Sequence, residues 1–364
     1  ECFAYSCRSA VAASARDMVA PLLLGRALPA TPETLTLEIQ QRLHLFGRYG
    51  VAMFAISGFD IALWDLAAKA RDQPLHALLG PALRTEATAY ASLVRYADTE
   101  LIQQQCRQAL AQGYRSIKLH EVDPAVMRAA RAACGPDIGI SVDVNCAWTP
   151  AQAQEKIAAL QEIGATWLEE PIFPPEDIRN QALLNRQFPL GAGENACTRH
   201  EFARIIEAGA VTFLQPSVTK VGGVTEFMAV ARLARAHGLA VMPHSPYFGV
   251  GYFTTLQLMA GLHGEPLLEH LHVELDGDLH EPDTIHVCPD MGIAVLTFDS
   301  PVFYDFSKPD SRVPEVGETL VLVGQGLSGI ISISARVVRH YEDGALLLSA
   351  PRMEGLMGAV AFDG

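Results

Sequence analysis

From Gln112 onward one unit recurs along the chain: a helix end, a glycine, and a short apolar strand that finishes on a polar residue. Ala111-Gln112-Gly113 leads into SIKLH, Glu162-Ile163-Gly164 into TWLEE, Glu207-Ala208-Gly209 into VTFLQ, and Ala236-His237-Gly238 into AVMPH. Glycine is the residue that takes the left-handed conformation closing a helix, so each unit reads as helix, cap, buried strand. The polar tips fall on Lys118, Asp143, Glu169, Glu194, a position between Gln215 and Ser217, His244 and Glu269, at steps of about 25 residues. With a first strand at Thr88 to Leu93 the count reaches eight. Strands alternating with helices at this period predict parallel βαβ units with right-handed crossovers. Eight of them with polar tips predict a closed (β/α)8 barrel whose C-terminal strand ends meet at one site. The rival, an open doubly wound sheet, would spread the same tips along an edge.

Three of the tips are acids in register. Thr166-Trp167-Leu168-Glu169-Glu170-Pro171 ends an apolar run on two carboxylates and a proline; Ser141-Val142-Asp143-Val144-Asn145 precedes it and Gly193-Glu194-Asn195 follows. A single strand-end acid is usually a helix cap or a solvated loop residue. Three converging carboxylates repel one another unless a cation sits between them, and a hard divalent ion with oxygen ligands answers that need. Asp143, Glu169 and Glu194 are therefore the candidate metal ligands.

Lys118-Leu119-His120 ends the second strand, and period-two alternation turns both polar side chains to one face. Beside a metal, they suit a cation for a substrate carboxylate and a proton-transfer base; the plainer readings are a surface lysine and a capping histidine. His244, in Met242-Pro243-His244-Ser245-Pro246, lies across the ring at the seventh strand, where a lone histidine is also often an ordinary buried polar residue. Glu269 ends the eighth strand and is able to donate a hydrogen bond if a desolvated site keeps it protonated; otherwise it is a helix-start carboxylate.

The 364 residues allow one barrel-sized domain and a smaller one. The plan is residues 1–80 as the N-terminal part of a capping domain, 81–295 as the barrel with the active site, and 296–364 as a β-rich tail. Residues 1–80 are largely helical, with Phe54, Ile61, Trp64 and Leu66 expected on one apolar face. In the tail TLVLVGQ, GIISISARVV and GALLLSA, punctuated by glycine and Asp-Gly turns, predict a small antiparallel unit. A formal charge of −14 argues against nucleic acid or an anionic membrane and for a small molecule as partner. Seven cysteines (2, 7, 106, 134, 146, 197 and 288), odd in number and without a CxxC pair, indicate neither a disulfide framework nor zinc, and fit the cytoplasm. The most apolar long stretch, Val51 to Ala68, carries Asp60 and Asp65, which is wrong for a membrane span. No signal peptide is visible, and a segment before Glu1 is left open.

The motifs IKLH, VDVN, WLEEP, GEN, TKVGG and MPH, in this order, resemble the mandelate racemase branch of the enolase superfamily over roughly residues 1–295. The resemblance implies an α/β fold, a modified (β/α)8 TIM barrel with a smaller α+β capping domain, and Mg2+ on Asp143, Glu169 and Glu194. It places the family's Lys-x-Lys pair on Lys118 and His120, its seventh-strand histidine on His244, its eighth-strand acid on Glu269 and its third-strand asparagine on Asn145. The shared step would be abstraction of the proton α to a carboxylate, giving an enediolate held by the metal. Three departures stand out. His120 replaces the second lysine; Ser217 replaces the sixth-strand aspartate that would partner His244; and the family's first strands would precede Glu1. The tail's MGAVAFDG reads like the segment that should precede ECFAY, so residues 296–364 are expected to complete the capping domain beside residues 1–80. A homo-oligomer is the expected assembly.

The expected reaction is dehydration of a sugar-derived hydroxy acid, with Lys118 holding the substrate carboxylate and His120 and His244 moving protons on opposite faces. Asn145, Glu269, Ser217, Tyr5 and His44 are the expected substrate contacts, the last two from capping-domain loops. Epimerisation or cycloisomerisation is the alternative within enzymes, and a non-catalytic, metal-stabilised binding protein is the alternative outside them.

Overall fold

The computed structural model describes residues 8–27, 29, 31–247 and 249–272, together with strands between 284 and 363. Two compact units divide it, one made chiefly of Ser9–His272 and the other of Val273–Gly364.

The first unit begins with helices. α1 (Arg8–Ser14) runs through a π-helical turn (Ala15–Val19) into α2 (Ala20–Leu23), and α3 (Pro32–Arg42), α4 (Gly50–Lys69) and α5 (Leu75–Leu79) follow. Strands and helices then alternate: β1 (Thr88–Leu93), α6 (Thr99–Ala111), β2 (Ser116–Leu119), α7 (Pro124–Cys134), β3 (Gly139–Asp143), α8 (Pro150–Glu162), β4 (Ala165–Glu169), α9 (Ile178–Asn185), β5 (Leu190–Ala192), α10 (Thr198–Glu207), β6 (Phe213–Leu214), α11 (Gly223–Ala236), β7 (Ala240–Val241), α12 (Val250–Met259) and β8 (Leu267–His272). The sequence starts and stops these helices as its chemistry dictates. Thr149 and Gln152 form a reciprocal capping box at α8, and Asp98 and Asp123 accept backbone N–H groups at the starts of α6 and α7. Gly113, Gly164, Gly209 and Gly238, the four glycines of the repeat, all have positive φ.

Each ladder among β1 to β8 is parallel, in the order β7-β6-β5-β4-β3-β2-β1-β8. Consecutive strands are neighbours and β8 returns to β1, which is the strand order of a barrel. Between β7 and β8 the described residues form no ladder. Side chains bridge that seam instead: the Leu267 N–H donates to Met242 Sδ at 3.2 Å and the Ser245 N–H to Glu269 Oε2 at 2.9 Å. The core lies between strands and helices, with Leu93, Ile117, Ile140, Val142, Leu168 and Leu214 among its fully covered members.

α4 is long and apolar enough to cross a membrane by length and composition, but it is packed on the protein. The Gly222 N–H donates to Ser57 Oγ at 2.9 Å, Trp64 Nε1 to Thr225 Oγ1 at 3.0 Å, and Thr225 donates to Asp60 from both its N–H and its hydroxyl, at 2.9 and 2.6 Å. Its buried face corrects the expected one: Met53, Ile56, Ser57, Asp60 and Ile61 are covered, whereas Leu66 is exposed and Phe54 and Trp64 are only partly covered. Small residues let the helix approach α11 closely, and a Cβ on Gly223 would lie 2.2 Å from Asp60 Oδ2.

The second unit contains β9 (Thr284–Cys288), β10 (Ile293–Thr297), β11 (Thr319–Gly326), β12 (Gly329–His340), β13 (Leu346–Ser349) and β14 (Ala359–Asp363). They form one antiparallel sheet in the order β13-β12-β11-β14-β10-β9. The expected pairing of residues 296–364 with residues 1–80 lies outside the described residues.

Candidate active site

The parallel register sets the tips level. Asp143 of β3 is paired with Glu169 of β4, and Glu169 with Gly191 of β5, two residues short of the turn that carries Glu194. One carboxylate oxygen from each of Asp143, Glu169 and Glu194 comes within 4.8 Å of the others. This cluster is a candidate divalent-cation site by its own chemistry: three hard oxygen ligands on separate strand ends.

Lys220 comes within 3.7 Å of Glu194 Oε1, and Lys118 sits among the acids themselves. Fully buried, its ammonium lies 2.7 Å from Glu169 Oε1, 2.6 Å from Glu269 Oε1 and 3.3 Å from Asp143 Oδ2. Burial alone would push Lys118 down, but the charges of Glu169 and Glu269 outweigh it and hold the group well above the usual lysine range. Glu269 also accepts from Ser92 Oγ at 2.8 Å and the Ser245 N–H at 2.9 Å. Burial raises its carboxyl, and the charges of Lys118 and His244 with the hydrogen bonds from Lys118 and the Ser245 N–H bring it below the ordinary value. In this arrangement Glu269 faces Lys118 at 2.6 Å and accepts hydrogen bonds from its neighbours.

The two histidines flank the acids from opposite sides of the ring. Nε2 of His120, just past β2, lies 3.2 Å from Asp143 Oδ2, and its Nδ1 faces the Leu93 carbonyl at the end of β1. Nε2 of His244, past β7, lies 2.9 Å from Glu194 Oε2. Burial lowers His120, while the charge of Asp143 and the hydrogen bond to it raise the ring above its ordinary value overall. The same proximity works on the acids. Burial raises Asp143 and Glu194, but Lys118 and His120 bring the first below its ordinary value, and His244 and Lys220 bring the second well below. Glu169 is the exception, since burial and the charges of Asp143 and Glu269 exceed what Lys118 supplies and push it up to about 7. Glu170, buried beside Glu194 and accepting the Gly193 N–H at 3.0 Å, is also pushed up to about 7.

Of the other expected residues, Asn145 is exposed and contributes its backbone: with φ at 47°, its N–H reaches Asp143 Oδ1 at 2.8 Å. Ser217 is fully buried, but its hydroxyl turns to Thr219 Oγ1 at 3.4 Å and Tyr247 Oη at 3.5 Å, so no carboxylate stands in the family's sixth-strand position. Tyr247 donates to the His244 carbonyl at 2.9 Å and sets its ring edge-on to the imidazole. His44 lies exposed on a short 3-10 turn with Nδ1 on the Gln41 carbonyl at 2.7 Å, and no contact in the described residues brings it to the cluster. Tyr5 lies outside the described residues. The sequence marks Gln215 only as a candidate sixth-strand tip and gives Trp167 no role, yet their side-chain nitrogens both donate to Glu169 Oε2, at 2.6 and 3.2 Å. The period-two register that turns Glu169 inward also turns Trp167 inward, and that signal was available.

Comparison with known proteins agrees with this geometry. Residues 1–80 match the model described as the mandelate racemase / muconate lactonizing enzyme N-terminal domain, and residues 101–292 the one described as enolase C-terminal domain-like. The chain is 30% identical over 281 residues to an arabinonate dehydratase from Saccharolobus solfataricus, covering 74% of this chain and 75% of that protein. It is also 30% identical over 252 residues to a D-galactarolactone cycloisomerase from Agrobacterium fabrum, covering 66% of each. Among solved structures, a mandelate racemase/muconate lactonizing protein from Paracoccus denitrificans complexed with magnesium superposes with a TM-score of 0.67 at 29% identity, covering 72% of this chain and 75% of that one.

Proposed function

The chain belongs to the mandelate racemase / muconate lactonizing enzyme family of the enolase superfamily, and from that premise we propose that it is a Mg2+-dependent dehydratase of sugar-derived hydroxy acids. The observation that carries the reading is the pair of imidazole Nε2 atoms, His120 at 3.2 Å from Asp143 and His244 at 2.9 Å from Glu194, reaching the acidic cluster from opposite sides. A β-elimination needs a base for the α-proton and an acid for the departing hydroxyl, and these two groups supply both.

Asp143, Glu169 and Glu194 would hold the ion. Bound there, Mg2+ supplies positive charge to the substrate carboxylate as the α-proton leaves. Lys118, already among the acids, meets the same carboxylate and opposes its developing charge. His120 takes the α-proton. It does so at Nε2, the nitrogen that faces Asp143 Oδ2 at 3.2 Å, while Nδ1–H stays donated to the Leu93 carbonyl, and the charge of Asp143 strengthens the ring's hold on a proton. The C–H electron pair moves into the carboxylate to give an enediolate; its collapse breaks the C–O bond at the β-carbon, and the hydroxyl leaves as water with a proton from His244. The enol formed becomes a 2-keto-3-deoxy acid. On this reading residues 81–295 carry the chemistry, and residues 1–80 begin the capping domain.

Cycloisomerisation is the second reading, favoured by the similarity to the D-galactarolactone cycloisomerase. It shares the proton abstraction and loses a ring oxygen instead of hydroxide. A panel of aldonic and aldaric acids and their lactones, incubated with Mg2+ in D2O, tests both. A 2-keto-3-deoxy product that carries solvent deuterium at C3, with release of water, marks the dehydratase; ring opening of a lactone without loss of water marks the cycloisomerase. No α-exchange with any member overturns the enzymatic reading and leaves a binding protein.

A further inference from the structure

We infer that Gln215 is a positioning residue that makes Glu169 present a single oxygen, Oε1, to the cation, and that Gly191 is glycine to give Gln215 the room to do so. The inference rests on the reading that Asp143, Glu169 and Glu194 hold a divalent ion. Gln215 follows β6, is 1% exposed, and donates from Nε2 to Glu169 Oε2 at 2.6 Å. Trp167, two residues before Glu169 on β4, donates its indole N–H to the same oxygen at 3.2 Å. Two donors occupy the two lone-pair directions of Oε2. Oε1 accepts from neither of them and faces the centre, 2.7 Å from Lys118 Nζ. A carboxylate held in this way is a one-oxygen ligand with its plane fixed from behind.

The amide orientation follows from charge, because the reverse placement would set the Gln215 carbonyl against the carboxylate oxygen. The amide is not there for its own satisfaction: Gln215 Oε1 is buried with no hydrogen-bond partner among the described residues. Gly191, paired with Glu169 across the ladder, supplies the space. A Cβ there would lie 2.3 Å from Gln215 Oε1, 2.9 Å from its Cδ and 3.0 Å from Trp167 Cδ1. Its backbone does not require glycine, so the absence of a side chain at this position serves the neighbouring amide and indole.

Partners that orient a metal ligand typically change affinity roughly 10–100-fold when removed. Mg2+ titrated calorimetrically into Gln215→Leu is expected to show a Kd raised by about that factor. Gly191→Ala, which keeps the amide but takes its space, is expected to weaken binding in the same direction. In the Gln215→Leu background Gly191→Ala should add nothing further, because it acts through a group already gone. The EPR spectrum of bound Mn2+ should change in both single variants as the second Glu169 oxygen becomes available, a signature that mere loss of stability does not produce. A folded Gln215→Leu with the wild-type Kd overturns the inference, as do fully additive losses in the double variant. If Gln215→Leu fails to fold, a wild-type Kd in Gly191→Ala overturns it alone. A wild-type chain that binds neither Mg2+ nor Mn2+ overturns the metal reading, and this inference with it.

Discussion

His244 Nε2 lies 2.9 Å from Glu194 Oε2, so the imidazole assigned to the leaving group touches a carboxylate of the cation site directly. His120 makes the corresponding contact to Asp143 from the other side. The two roles separate by experiment. His120→Asn is expected to lose both α-proton exchange and product formation by about 10^2–10^4-fold, the usual contribution of a positioned base. His244→Asn is expected to keep exchange and lose product by a similar factor. The opposite pattern exchanges the two assignments, and wild-type behaviour in both variants removes them.

Lys118 matters to folding as well as to chemistry. Its ammonium compensates Asp143, Glu169 and Glu269 in a place with no access to water. Removing one partner of a buried ion pair costs about 3–5 kcal/mol. Lys118→Met should therefore lose stability of that order in the metal-free protein, by urea unfolding, and recover a large part of it when Mg2+ is added, since the ion replaces the missing charge. A variant equally destabilised with and without Mg2+ would contradict the shared-site reading.

Cation binding should weaken in acid. Glu169 is pushed up to about 7, and a protonated carboxyl must lose its proton before it ligates. Below that pH the measured Mg2+ affinity should fall by up to about tenfold per unit. An affinity that stays constant from about pH 8 to about pH 6 would show that the carboxylate is already ionised.

Asp60 gives a stability test away from the site. Burial raises its carboxyl to about 6, although Thr225 and Thr36 donate to it. The folded state thus holds the proton more tightly than the unfolded chain. The associated stability is fully present below about pH 4 and is lost as pH rises through about 6, amounting to roughly 3 kcal/mol. Asp60→Asn, which cannot ionise, should gain on the wild type by about that amount between pH 4 and 7 in denaturant unfolding. A constant difference across that range would refute the assignment.

The barrel could be read from the sequence because its signal is local and repeated: glycine after each helix, an apolar strand, a polar tip. The three acids were legible for the same reason, since each ends its own strand and the spacing brings the ends level. What the sequence did not yield depends on which way a side chain turns across the ring. Nothing local to Glu269 says that Lys118 will reach it from β2, and nothing local to Gln215 says that its amide will cross to β4. Leu66 was misplaced because it is apolar at helical spacing, whereas the covered face of α4 is chosen by small residues that let another helix come close. His44, expected as a substrate contact from its place in a loop, has Nδ1 on the Gln41 carbonyl of its own turn.

The anchoring of α4 has a mechanical consequence. From Ser57 to Trp64 the helix is pinned to α11 and the turn before it by hydrogen bonds at 2.6 to 3.0 Å. The exposed segment that leads into it has Leu45 and Phe46 before Gly47 and Tyr49 between Gly47 and Gly50, and both glycines have positive φ. Displacement of that segment is therefore taken up at the two glycines as at a pivot and is not transmitted along α4 as a lever. Backbone hydrogen exchange should then be fast through Gly50 and slow abruptly by Met53; slow exchange running unbroken into the segment would mean that segment and helix move as one rod.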